Sequence, residues 1–135
     1  MEPCVVHFYG IKLDIHAYPK ELAETLREKR TEHRNFGVAE EIAVYILKKS
    51  GHDLSANPWA GSKEMARDTG VRVLELGDSV FLAVDDTVTK VDSWGLAKVD
   101  VQPVGMEDLL KMEQCGRWLG TDVKLGDWHM WVSAH

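Results

Sequence analysis

The chain has 135 residues, 44% hydrophobic and 28% charged, a composition that excludes wholesale disorder and fits one domain able to bury a core without metal or disulfide staples. No apolar run approaches the ~20 residues that cross a bilayer. The formal charge is −6, and residues 51–135 hold all of it, with 8 basic and 14 acidic side chains against 8 and 8 in residues 1–50; such a surface disfavours phosphate backbones and suits a basic protein partner.

Cys4 to His16 reads as a strand pair or one long bent strand. Ile11, Leu13 and Ile15 alternate with Lys12, Asp14 and His16, the period of a half-buried strand, and Gly10 marks a bulge or bend. Pro19 suits the first turn of a helix over Lys20–Arg30, whose apolar face is narrow (Leu22, Leu26). A second helix is predicted with Asn35 as cap, Val38, Ile42, Tyr45 and Ile46 on one face, Lys48 and Lys49 at its negative end, and Gly51 as its stop. After a loop over Gly51–Gly61, Ser62 caps a short helix that ends at Gly70.

From Val71 the period shortens. Strands are expected at Val71–Leu76, Val80–Val84, Thr87–Asp92 and Leu96–Gln102, with Gly77-Asp78 and Asp85-Asp86 as turns. The short connections imply an antiparallel meander. Val80–Val84 is apolar throughout and belongs inside the sheet. A last helix over Met106–Gln114 is expected to turn Met106, Leu109 and Leu110 inward and to stop at Gly116, before a strand over Asp127–Val132. Helices segregated from a run of strands predict a single α+β domain over residues 1–135: an antiparallel sheet of four to six strands with three or four helices packed on it.

Met1–Gly10 lacks the basic region, apolar stretch and cleavage site of a secretory signal. Cys4 and Cys115 have no neighbouring cysteine and no zinc-type histidine spacing. Both features predict a cytoplasmic protein with reduced thiols and no membrane partner. Cys115 lies near a helix end whose dipole disfavours a thiolate. The dinucleotide, P-loop, nucleophile-elbow and H-E-x-x-H patterns are absent from the sequence, and no cofactor is implied. Gly61-Ser62 reads as a helix cap.

Two patterns carry potential chemistry. Asp14-Ile15-His16 and Asp127-Trp128-His129 are both D-x-H. On a strand, residues two apart share a face, so each pair sets a carboxylate beside an imidazole. Adjacent terminal strands would then offer four ligands, Asp14, His16, Asp127 and His129, to a divalent metal. His33 and His52 read as isolated surface or loop histidines. Arg27, Lys29, Arg30 and Arg34, interrupted by Glu28 and Glu32, read as a solvated face. The second pattern is aromatic. Five tryptophans occur, and Trp59, Trp118 and Trp131 are candidate anchors for a protein partner.

The sequence therefore predicts a non-enzymatic, acidic protein-binding module. Its physical character is that of an inhibitor or immunity-type protein docking a basic partner that acts on nucleic acid, and a second copy of the chain is a further candidate partner. The alternative is a small metal-assisted hydrolase built on the two D-x-H pairs.

Overall fold

The computed structural model describes residues 4–32, 37–56, 60–92, 103–121 and 126–133. Within them the chain runs β1 (Cys4–Lys12), α1 (Lys20–Glu32), α2 (Val38–Lys49), α3 (Ser62–Thr69), β2 (Val71–Leu76), β3 (Ser79–Val84), a 3-10 turn (Asp85–Thr87), β4 (Thr89–Asp92), α4 (Met106–Trp118) and β5 (Asp127–Ser133). The described residues form an α+β fold of four helices and a five-stranded antiparallel sheet, as the patterning predicts. The expected strand Leu96–Gln102, the cap Asn35, His33 and Trp59 lie outside the described residues.

The sheet is organised on β1. Its residues Cys4–Gly10 pair with β5, Cys4–His7 pair with β4, and Gly10–Lys12 pair with β3. A strand has only two edges, so β3 and β4 lie end to end along the edge opposite β5. β2 pairs with β3 through a two-residue turn at Gly77-Asp78. Gly77 has φ +61°, the left-handed conformation that glycine supplies at the first position of such hairpin loops.

The expected meander is therefore corrected. Asp85-Asp86 does not reverse the chain; Asp85–Thr87 form one 3-10 turn that carries it onward. His7 faces Thr89 and Gly10 faces Ala83, so three steps along β1 correspond to six along its partner. The 3-10 turn absorbs the three extra residues. The Thr87 hydroxyl donates to the Val84 carbonyl (2.7 Å) and accepts the Tyr9 N–H (2.9 Å), which supplies the partner that the interrupted ladder leaves missing.

Alternation along the strands builds two apolar layers. Ile11, Leu13, Val71, Val73, Val80, Leu82 and Val84 face the helices and meet Leu22, Ile42, Ile46, Leu47, Met65, Met112 and Leu119. Val6, Phe8, Leu74, Phe81 and Ala83 form a second cluster on the opposite face, joined by Leu76, Val88 and Trp131. All of Val80–Val84 is buried, between β2 and β1. A fully buried aliphatic or phenylalanine side chain contributes about 1.5–3 kcal/mol, so these layers dominate the fold's stability.

Four local expectations change. β1 ends at Lys12, and the chain turns where the Ala17 N–H bonds the Asp14 carbonyl (3.1 Å), leaving Ile15 51% exposed. Gly10 does not interrupt β1; it is paired on both edges, with Ala83 where the β3 ladder begins and with Asp127 where the β5 ladder ends. Gly61 is the cap residue of α3, and Ser62 is its first helical residue. α4 runs through a buried Gly116 to Trp118, and the chain leaves it at Gly120, φ +74°. Its inward stripe is Met112, Cys115 and Leu119, which rotates Met106 and Leu110 out to 69% and 57% exposure.

A β-carbon on Gly10 would lie 2.1 Å from the Leu82 carbonyl oxygen. That oxygen belongs to the β3 backbone and cannot turn aside. Gly10→Ala is expected to lower unfolding stability by ~2 kcal/mol or more, at the upper part of the usual overpacking range. Urea denaturation checks this; an unchanged midpoint would show that β1 and β3 are free to separate.

Candidate functional site

A concavity lies between the 13–19 connection, α1, the start of α2 and the β2–β3 turn. Its volume is about 400 Å³. The connection is held by a hydrogen bond from the Leu13 N–H to the Val80 carbonyl (2.8 Å) and by the Asp14 carboxylate, which accepts the His16 N–H (2.9 Å). Ile15, Leu26, Val38 and Val80 give the cleft an apolar floor. α1 contributes Arg27 and Arg30, and the hairpin contributes Glu75 and Asp78. A shallower extension past Asp14 and Ser79 continues it.

Tyr18 lines this cleft, and its hydroxyl is buried with no hydrogen-bond partner among the described residues. Burial, reinforced by the Asp14 charge, pushes its pKa up to about 12, so the phenol stays a neutral donor. An unpaired buried polar group costs about 1–3 kcal/mol; this one sits in a wall of the cleft.

The two D-x-H pairs do not meet. Asp14 and His16 occupy the turn after β1 and border the cleft. Asp127 and His129 lie on β5, opposite Gly10 and Phe8. The Asp127 carboxylate accepts the Trp128 N–H (2.8 Å). The His129 ring stacks on Phe8, packs against Phe81, and has Nε2 3.2 Å from the Gly10 carbonyl oxygen, to which it donates. His129 is thus a packing residue of the second face. Among the described residues no three His, Cys, Asp or Glu side chains are grouped to hold a metal ion.

A constellation that sequence spacing missed joins α2 to α3. His52 is not isolated: Nδ1 lies 3.0 Å from the Ser50 hydroxyl and Nε2 lies 2.5 Å from the Asp68 carboxylate. The residue types are those of a nucleophilic triad, but the proton positions are not. Ser50 Oγ–H donates to the Leu47 carbonyl (2.9 Å), so toward His52 the hydroxyl accepts. Nε2 faces a carboxylate and must donate. The hydroxyl proton is thus directed at the Leu47 carbonyl and not at the imidazole, the reverse of what a serine nucleophile requires. Ser50 also caps the C-terminal end of α2, where the dipole is negative and disfavours a developing oxyanion. The group is a clasp that ties the end of α2 to α3.

A second clasp lies at the other end of α3. The Glu40 carboxylate accepts the Ser62 N–H (3.1 Å) and the Ser62 Oγ–H (2.7 Å), while Glu64 accepts the Gly61 N–H (2.9 Å). Ser62 is therefore a helix-start residue. Cys115 is a free, buried thiol whose pKa burial pushes up to about 12 against the pull of Lys111, far from the range of a reactive cysteine.

Trp118 ends α4 and is half-buried against the main core. Trp131 is half-buried on the second cluster, and its ring lies 2.9 Å from where a β-carbon of Gly77 would stand. The exposed large apolar side chains of α4 are instead Met106 and Leu110. No family model, curated protein or solved structure matches the chain.

The Asp68 pKa is lowered, first by the hydrogen bond from His52. A carboxyl held below its unfolded value stabilises the fold above the ordinary carboxylate pKa of ~3.9, and that contribution is lost as pH falls through the lower folded value. Asp68→Asn is expected to be less stable than wild type near neutrality, with the gap closing on acidification through this range. Urea midpoints measured from pH 6 downward check it; a gap independent of pH would show that the clasp is not ionic.

Proposed function

We propose that this protein is a non-enzymatic binding module that docks a basic protein partner through the outer face of α4. One observation carries the reading: Met106 and Leu110, one helical turn apart, are 69% and 57% exposed on the same face. Isolated exposed apolar residues are ordinary, but two aligned at i and i+4 form the anchor spacing by which a helix enters a partner's groove. Trp118 lies at the C-terminal end of the same helix with part of its ring at the surface. Glu107 and Asp108 add negative charge at the first turn.

The acidic excess supports the choice of partner. Complementary potentials steer encounter and set specificity more than they set affinity, and a chain of net charge −6 attracts a basic surface while repelling nucleic acid directly. An inhibitor or immunity-type role toward a basic protein that acts on nucleic acid is the form of binding this charge favours. Trp118, half-buried at the end of α4, would extend the contact as an aromatic anchor, whereas Trp131 lies on the opposite face of the sheet, outside it.

A cationic amphipathic helical peptide serves as probe for such a partner. Leu110→Glu is expected to change folding stability by no more than ~0.5 kcal/mol, as at other surface positions, and to weaken peptide binding by about 2 kcal/mol, the scale of an interface anchor. Fluorescence anisotropy of labelled peptide reads the affinity. Equal affinity of wild type and variant, or equal binding of a peptide with reversed charge, would sink the proposal.

A further inference from the structure

The cleft beside α1 is separate from the α4 face, and its chemistry selects a ligand of its own. Its volume of about 400 Å³ falls within the range of small-molecule sites. The floor of Ile15, Leu26, Val38 and Val80 requires an apolar body. Arg27 and Arg30, one turn apart on α1, offer forked donors to a carboxylate. Glu75 and Asp78 on the hairpin offer acceptors to an ammonium group. A simple fatty or aromatic acid would leave the hairpin carboxylates unmatched, and an amine would leave the arginines unmatched. A nucleotide would bring its phosphates toward two carboxylates and set a polar sugar on an apolar floor. A short peptide separates its charges and supplies carbonyl oxygens between them. Tyr18 lines the same space, with its hydroxyl buried in the wall.

We propose that the cleft binds a short apolar peptide with free termini: its carboxylate against Arg27 and Arg30, and its ammonium group against Glu75 and Asp78. The apolar side chains lie on the floor. Recognition of both ends makes the site selective for length, and no covalent step is involved.

The test uses leucyl-leucine and leucyl-leucyl-leucine, their N-acetylated and C-amidated forms, and free leucine, titrated into the full chain. Backbone amide shifts are followed at residues 13–30 and 75–80. At least one free peptide is expected to perturb both segments with saturation below about 10 mM, and capping either end is expected to weaken it about tenfold or more. Tyr18→Phe removes the unpaired hydroxyl without altering the ring. It is expected to retain or raise the thermal midpoint. Arg27→Gln/Arg30→Gln should weaken the free peptide but leave the affinity of its C-amide unchanged. Absence of shifts up to about 10 mM for both peptides overturns the proposal. So does equal binding of capped and free forms, which would mark a non-selective apolar slot, or equal binding of free leucine.

Discussion

Everything in this fold hangs on β1 being paired along both of its edges. Cys4–Gly10 bind β5 on one side, while the other side is shared between β4 and β3. Sharing one edge between two segments forces a break in the ladder, and a buried break leaves backbone groups without partners. Thr87 resolves it with one hydroxyl that donates to Val84 and accepts from Tyr9. Gly10 stands at the crossing, paired with Ala83 and Asp127, and only a residue without a β-carbon lets the Leu82 carbonyl come so near. The Tyr9 hydroxyl donates to the Gly126 carbonyl (2.8 Å), which fixes where β5 begins.

The second consequence is the curl of the sheet. Helices cover the face of Ile11, Leu82 and Val73, whereas the other face is lined by Phe8, Phe81, His129 and Trp131 from the strands themselves. Trp131 sits on β5, and the Gly77 it touches sits in the β2–β3 turn, with β3 and β1 between them in the sheet. That contact requires the sheet to bend over its second face. Gly77 and Asp78 are also a wall of the cleft beside α1, so the aromatic packing on one face of the sheet positions a binding surface at its end.

Much of this was legible from local patterning. The apolar face of α2, the strands β2 and β3, the turn at Gly77-Asp78 and the α+β class all follow from periodicity and turn chemistry, which act over a few residues. The failures have a common cause: each depends on a partner distant in sequence. Asp85-Asp86 has the composition of a reversal, and only the presence of β1 beside it makes end-to-end strands the better-paired solution. Of the expected inward stripe Met106, Leu109 and Leu110, only Leu109 packs on the core; Met112, Cys115 and Leu119 claim the rest and rotate Met106 and Leu110 outward. Ile15 loses its place inside because Asp14 accepts the His16 N–H and ends the extended chain. His52 and Asp68 are sixteen residues apart and meet only because α2 and α3 pack together. The one local hint was a histidine just past a helix C-terminus, where a positive charge is favoured.

The uneven charge along the chain acquires its physical meaning from the same topology. The first fifty residues are neutral in sum, and their Arg27 and Arg30 read as members of a mixed, solvated face. The later residues carry the acidic excess, and Glu75 and Asp78 are part of it. The fold brings α1 and the β2–β3 hairpin to one cleft, so charges far apart in the sequence border a common apolar floor. All four groups are exposed, so their fields are felt at the rim of the cleft and weaken with salt. A net charge taken over the whole chain hides this arrangement: −6 sets the field far from the molecule, whereas two arginines and two carboxylates set it at the mouth of the cleft. The two scales need not select the same molecule, and here they favour a basic protein at the outer face of α4 and a doubly charged small ligand at the cleft.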